Sequence, residues 1–141
     1  MITIVHLQLA PRKKEPTVPA QSLRFEAGLG IEGDHNAREG SLRQVLLMAE
    51  ENCLAFGLAP GAVRENIVTR GVDLQALLPG ARIEAGDVVL EITKDCAPCP
   101  FIDTLRPGLQ EEIQGRRGML ARVIESGELR VGDELHIEPK V

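Results

Sequence analysis

Arg82-Ile83-Glu84-Ala85-Gly86-Asp87-Val88-Val89-Leu90-Glu91-Ile92-Thr93 reads as two apolar extended runs joined at a Gly-Asp pair. Such a pair tolerates the positive backbone angles of a tight turn, so the segment predicts a hairpin. The same grammar returns in Leu129-Arg130-Val131-Gly132-Asp133-Glu134-Leu135. Asp87 and Asp133 are therefore expected at barrel corners rather than in catalysis. Further β-like runs occupy residues 66–69, 120–124 and 134–137, and apolar patterns open the chain at Ile2, Ile4 and Val5 and recur at residues 23–25.

One segment has a different period. Ser41 and Gln44 form a capping-box pattern, and Leu42, Val45, Leu46, Ala49, Cys53 and Phe56 recur at helical spacing. Gly57 follows where a helix-ending glycine belongs. The spacing predicts a main helix over 41–56 with Cys53 packed on its apolar face, and a shorter helical piece over 109–114. Residues 28–40, with four glycines, are expected as loop, as is the charged stretch 12–16. The expected fold is a β-rich α+β domain, a partly closed β-barrel with one main helix and short helices packed on it. At 141 residues the whole chain, 1–141, suits a single domain.

Composition excludes some functions. The aromatic residues are Phe25, Phe56 and Phe101, too few to make stacking platforms for single-stranded nucleic acid. A net charge of −5 gives no overall attraction for polyanions. No apolar run approaches the roughly 20 residues of a membrane span, and residues 1–5 lack the basic start of a secretion signal. Three cysteines do not make a secreted disulfide framework. A cytoplasmic protein is expected, with neither nucleic acid nor membrane as partner.

Several segments can carry chemistry. Asp95-Cys96-Ala97-Pro98-Cys99 follows directly on the 88–93 strand, where side chains reach a rim and the prolines stiffen the loop. An exposed thiolate there can act as nucleophile, sulfur carrier or soft metal ligand. A Cys-x-x-Cys pair also suits a redox disulfide or half of a zinc site, and two loop thiols without function satisfy the same pattern. Pro100 stands where a thioredoxin-type helix would continue. A zinc or thiol-redox protein built on Cys96, Cys99 and His35 lacks an evident fourth ligand. Asp34 can orient the ring of His35, or the pair can be a surface turn. Arg43, at the expected helix start, has backbone donors beside it that favour an anion. Arg64-Glu65-Asn66 offers a cation, an anion and an amide, for a ligand or for an internal network. Arg116 and Arg117 lie between Gly115 and Gly118, where backbone can approach a ligand closely. No phosphate-binding glycine loop, dinucleotide fingerprint or metalloprotease motif is present.

Taken in order, these pieces resemble the molybdenum-cofactor-sulfurase C-terminal (MOSC) domain family over about residues 2–137. The carrying stretches are Gly30-Ile31-Glu32-Gly33-Asp34-His35, Arg43-Gln44-Val45-Leu46-Leu47 with Glu50, Gly61-Ala62-Val63-Arg64-Glu65-Asn66-Ile67, Gly71-Val72-Asp73-Leu74, Cys96-Ala97-Pro98-Cys99, Gly115-Arg116-Arg117-Gly118-Met119 and Val131-Gly132-Asp133. The resemblance implies a β-barrel with one key cysteine that either carries sulfur as a persulfide or ligates molybdenum. By it, Cys99 is the favoured cysteine and metal ligand, with Cys96 as a helper thiol. Asp34, His35, Arg43, Arg64, Asn66, Arg116 and Arg117 are the expected contacts for the molybdenum cofactor (molybdopterin). The arginines are expected to lower the thiol's pKa below its ordinary value of about 8.5. Pyridoxal phosphate is not expected in this chain and would belong to a sulfur-donor partner such as a cysteine desulfurase. The implied activity is that of a sulfur transferase or of a component of a molybdenum-dependent oxidoreductase.

Overall fold

The computed structural model describes residues 1–140 and is dominated by strands. In chain order they are β1 (Ile2–Leu9), β2 (Val18–Ala20), β3 (Ser22–Glu26), β4 (Gly30–Ile31), β5 (Val45–Ala49), β6 (Ile67–Arg70), β7 (Arg82–Ala85), β8 (Val88–Asp95), β9 (Met119–Glu125), β10 (Gly127–Arg130) and β11 (Glu134–Glu138). Two short helices, α1 (Glu50–Ala55) and α2 (Leu109–Glu112), and two 3-10 turns at Leu74–Ala76 and Pro100–Thr104 complete the elements.

The barrel closes. Strands pair in the order β11-β7-β8-β9-β5-β6-β1, and β1 pairs back to β11 through Ile2↔Leu135 and Thr3↔Glu134. The β2 strand extends the sheet beyond β1, and β10, β3 and β4 form a second small sheet. Only the partly closed barrel was expected; the pairing of the first and last strands leaves no free edge in the ring. Gly86-Asp87 does form a two-residue hairpin turn, with Ala85 paired to Val88 and Gly86 at φ 55°. Gly132-Asp133 makes the turn into β11, where the Asp133 carboxylate accepts from the Arg130 N–H at 2.8 Å.

The main helix is shorter than its periodicity suggests. Residues 45–49 form β5, between antiparallel β9 and parallel β6, and the helix begins only at Glu50. The physical reason is burial on both sides. Val45, Leu47 and Ala49 enter the barrel core, Met48 packs with Cys53, Val68, Ile102 and Ile113 outside it, and Leu46 packs with Cys96 and Leu120. A strand buried on both faces is a continuous apolar run, which helical spacing also fits. Ser41 caps only a local turn, accepting from the Arg43 N–H at 3.0 Å. Gln44 is no capping residue: its amide donates to the carbonyls of Gly28 and Arg38 and accepts from the Val123 N–H. Gly57 does end α1 as expected, at φ 66°, with the Leu58 N–H returning to the Cys53 carbonyl at 2.8 Å.

Candidate functional site: a buried thiol among arginines

Cys96 leaves the end of β8 and turns inward. Its N–H donates to the Gly118 carbonyl at 3.0 Å, extending the β8–β9 pairing beyond Asp95↔Met119. That pairing places its thiol between Leu46 and Leu120 at 1% exposure, so the exposed cysteine expected from the sequence is not found here. Cys99 is half-buried and packs against the cluster of Met48, Val63, Ile102 and Ile113 on the other side of the loop. All three cysteines are free thiols.

Arg117 meets the Cys96 sulfur directly. One guanidinium nitrogen donates to the Cys96 Sγ and another to the Val63 carbonyl at 3.0 Å, while its buried Nε has no partner among the described residues. Gly118 makes this approach possible. At φ 132° its backbone lies so close to β5 that a Cβ would collide with the Leu47 carbonyl.

Arg43, Arg64 and Arg117, with Cys96, Asn36, Leu46 and Leu120, line a pocket of about 160 Å³. None of the three arginines forms an ion pair among the described residues. The charges of Arg117 and Arg43 act on the Cys96 sulfur with no carboxylate to offset them, and an anion relieves their mutual repulsion. Burial nevertheless holds the Cys96 thiol above its ordinary pKa, outweighing the opposing pull of Arg117 and Arg43. At Cys96 the arginines do not bring the thiol below its ordinary value, because desolvation of the thiolate outweighs their pull.

Arg64 reaches the pocket from a turn that is strained at one residue. Its φ is 67°, a left-handed conformation unusual for a residue with a Cβ. The neighbouring Glu65 is fully buried and holds this turn from below, accepting from the Val63 N–H at 3.3 Å, with the Cys53 thiol 3.8 Å from its other oxygen. Burial raises the Glu65 pKa, and burial with Glu65 beside it pushes the Cys53 thiol up to about 12. Glu65 was not among the expected site residues. The signal available was a carboxylate flanked by apolar Val63 and Ile67, a pattern that suits a buried acceptor.

The other expected residues do different work. Asp34 does not orient the His35 ring; its carboxylate accepts from the N–H groups of Ala10 and Asn36 and from the Asn66 amide. His35 is exposed, and it is Asn36 that reaches the pocket wall. Asn66 is a fully buried tie, donating to the Gln8 carbonyl at 3.2 Å and accepting from the Leu46 N–H at 3.1 Å. No helix starts at Arg43, so the helix-end anion site expected there is absent; its guanidinium contributes instead. Arg116 turns outward over the Phe56 ring, 5.8 Å from its centroid, and lines a separate cleft with Glu51, Asp73 and Gln75. Among the described residues no three His, Cys, Asp or Glu side chains converge on a metal position. The zinc arrangement of Cys96, Cys99 and His35 is thus not assembled, since the two thiols point into different clusters and His35 stays in solvent.

A closed seven-strand barrel with two short helices among the described residues defines the class of fold. The MOSC domain family model matches residues 34–136, and this chain belongs to that family. It is similar in fold to the YuaD protein of Bacillus subtilis, at 22% identity and TM-score 0.83, over 100% of this chain and 98% of that one. YiiM from Geobacillus stearothermophilus is similar over 97% of this chain and 75% of its own, at 17% identity and TM-score 0.79. YiiM from Escherichia coli is similar over 99% and 71%, at 20% identity and TM-score 0.74. No curated protein matches the chain by sequence.

Proposed function

We propose that this chain is a molybdenum-cofactor-binding or sulfur-carrying MOSC domain whose reactive group is Cys96. One observation carries the reading: a buried thiol faces Arg117 in a pocket whose three arginines have no carboxylate partner among the described residues. Thiolate is a soft ligand and a nucleophile, and guanidinium is a fork-shaped donor for oxyanions.

The residues present suit the implied cofactor. The unpartnered Arg117 Nε and the uncompensated charge of Arg43 call for an anionic group. About 160 Å³ suits an oxyanion or a metal with its oxygen ligands. The molybdenum cofactor, when bound, supplies two-electron redox chemistry. Cys96 would hold the metal, whose own positive charge would displace the thiol proton, Arg117 would orient the sulfur by donating to it, and Arg43 and Arg64 would neutralise the remaining charge. As a sulfur carrier, the Cys96 sulfur would attack the outer sulfur of a donor persulfide, the bond between the donor's two sulfurs would break, the leaving donor thiolate would take up the proton that Cys96 gives up, and Arg117 would stabilise the new terminal sulfur. A cysteine desulfurase fits as donor, so pyridoxal phosphate stays with the partner. A cytoplasmic location agrees with this, and among the described residues no helix is long and apolar enough to cross a membrane.

The test is protein expressed in molybdenum-replete cells and purified without oxygen, followed by metal analysis and intact-mass spectrometry. Bound molybdenum and pterin, or a mass gain of one sulfur atom, is expected in the parent and in Cys99→Ala but not in Cys96→Ala. Retention unchanged in Cys96→Ala would remove Cys96 from the function, and a parent with neither molybdenum nor added sulfur would end the reading.

A further inference from the structure

Two residues other than glycine have left-handed backbone among the described residues, and both line one cleft. Lys14 has φ 66° and Arg64 φ 67°. Both line the cleft of about 420 Å³, whose apolar walls come from Pro16, Ala62, Phe101 and Leu105. The Arg64 guanidinium donates to the carbonyls of Glu15 and Arg12, the latter at 2.9 Å. A strap of residues 12–15 is therefore tied to the cleft floor through one side chain. Its far end is pinned separately, where the Thr17 hydroxyl donates to the Gly61 carbonyl at 3.3 Å. Arg64 also lines the Cys96 pocket, so one cation belongs to two cavities.

Neutral carbonyls are weaker partners for a guanidinium than an oxyanion is. Backbone strain on both sides of a tie favours its release, and strained residues of this kind mark switching segments.

We infer that Arg64 is a latch coupling the two cavities: an oxyanion in the Cys96 pocket draws its guanidinium from the carbonyls of Arg12 and Glu15, freeing the strap and opening the cleft to a largely apolar organic reactant. This goes beyond the proposed function but takes the Cys96 pocket as its anion site. Phe101 and Leu105, large apolar side chains 38% and 40% exposed on one turn after Cys99, supply the face for the reactant's body. A volume of this size matches small-molecule sites, which run from about 300 Å³ upward.

The strap carries its own reporter, because Arg12, Lys13 and Lys14 are exposed trypsin sites. Cleavage there, followed by mass spectrometry against a peptide control, is expected to rise several-fold when inorganic sulfate replaces chloride at equal ionic strength. Arg64→Gly keeps the left-handed backbone and removes the latch, so it should be cleaved fast without sulfate and not respond to it. A neutral naphthalene dye with polarity-sensitive emission should bind Arg64→Gly and the sulfate-loaded parent more tightly than the sulfate-free parent, and Leu105→Asp should remove that gain. The latch is overturned if Arg64→Gly is cleaved at the parental rate, if calorimetry shows no sulfate binding, or if sulfate binds without changing cleavage. Dye binding insensitive to Leu105→Asp would overturn the cleft as the reactant's place. None of these readouts involves molybdenum or added sulfur, so a strap that responds in protein lacking both would retire the cofactor reading and leave the latch standing.

Discussion

Arg117 and Cys96 are individually ordinary residues whose pairing sets the chemistry of the pocket. Since burial raises the thiol's pKa against the pull of Arg117 and Arg43, Cys96 should react slowly with iodoacetamide at neutral pH and faster as pH rises. In a Cys99→Ser background, Arg117→Met should move that rate profile to higher pH and Arg117→Lys should restore part of it; coincident profiles would show that Arg117 does not act on the sulfur. Cys53 allows a stability measurement. Its thiol is pushed up to about 12 in the fold, against about 8.5 in an unfolded chain. The unfolded state then loses its proton first, so the stability contributed by the neutral buried thiol is complete below about pH 8.5 and is lost as pH rises toward the folded value. The unfolding free energy from urea titrations should fall above about pH 9, at up to about 1.4 kcal/mol per pH unit, and Cys53→Ala should flatten the slope. At this scale the sequence marks reactive types better than it marks partners. Cys96, Arg43, Arg64 and Arg117 stand out by chemistry, but Asp34 and Asn66 do so equally, and only partners distant in the chain, such as the Ala10 N–H for Asp34 and the Gln8 carbonyl for Asn66, reveal them as structural ties.

Among the elements, β5 is the one whose local pattern misleads. Apolar side chains needed by two cores at once erase the alternation that marks a half-buried strand, and the same residues fall at helical spacing. By contrast the β7–β8 hairpin was legible because Gly86-Asp87 encodes its turn locally, and Gly57 was legible because a helix end is a local event. The 115–118 turn sits between these cases: its glycines signalled close approach, but not that the approach is to β5. Gly118→Ala should therefore destabilise the fold by about 1–3 kcal/mol or more, since a Cβ meets the Leu47 carbonyl and the φ of 132° is strained for alanine. Denaturant titration would measure this, and Cys96 should become more accessible to alkylation in the same variant as Arg117 is displaced. A loss below about 0.5 kcal/mol, the range of neutral surface changes, would contradict the contact.

For the whole molecule, the alternation of short strands and turns made a barrel legible, whereas its closure was not, because pairing between β1 and β11 leaves no trace in either strand alone. Leu135 lies on that seam, 3% exposed and in the core cluster. Leu135→Ala should cost about 2–5 kcal/mol in equilibrium unfolding, and a smaller loss would indicate that the seam collapses around the gap. The pocket depends on the same closure, since it gathers residues from positions 36, 43, 64, 96 and 117 into one cavity. The seam also sets a timetable. Ile2 must wait for Leu135, so the ring joins its earliest strand to its last. Folding dominated by such distant pairings falls on the milliseconds-to-seconds scale of all-β domains, and the Ile2–Thr3 end of β1 must remain an open edge on the ribosome until β11 has emerged, a window in which a chaperone has something to hold.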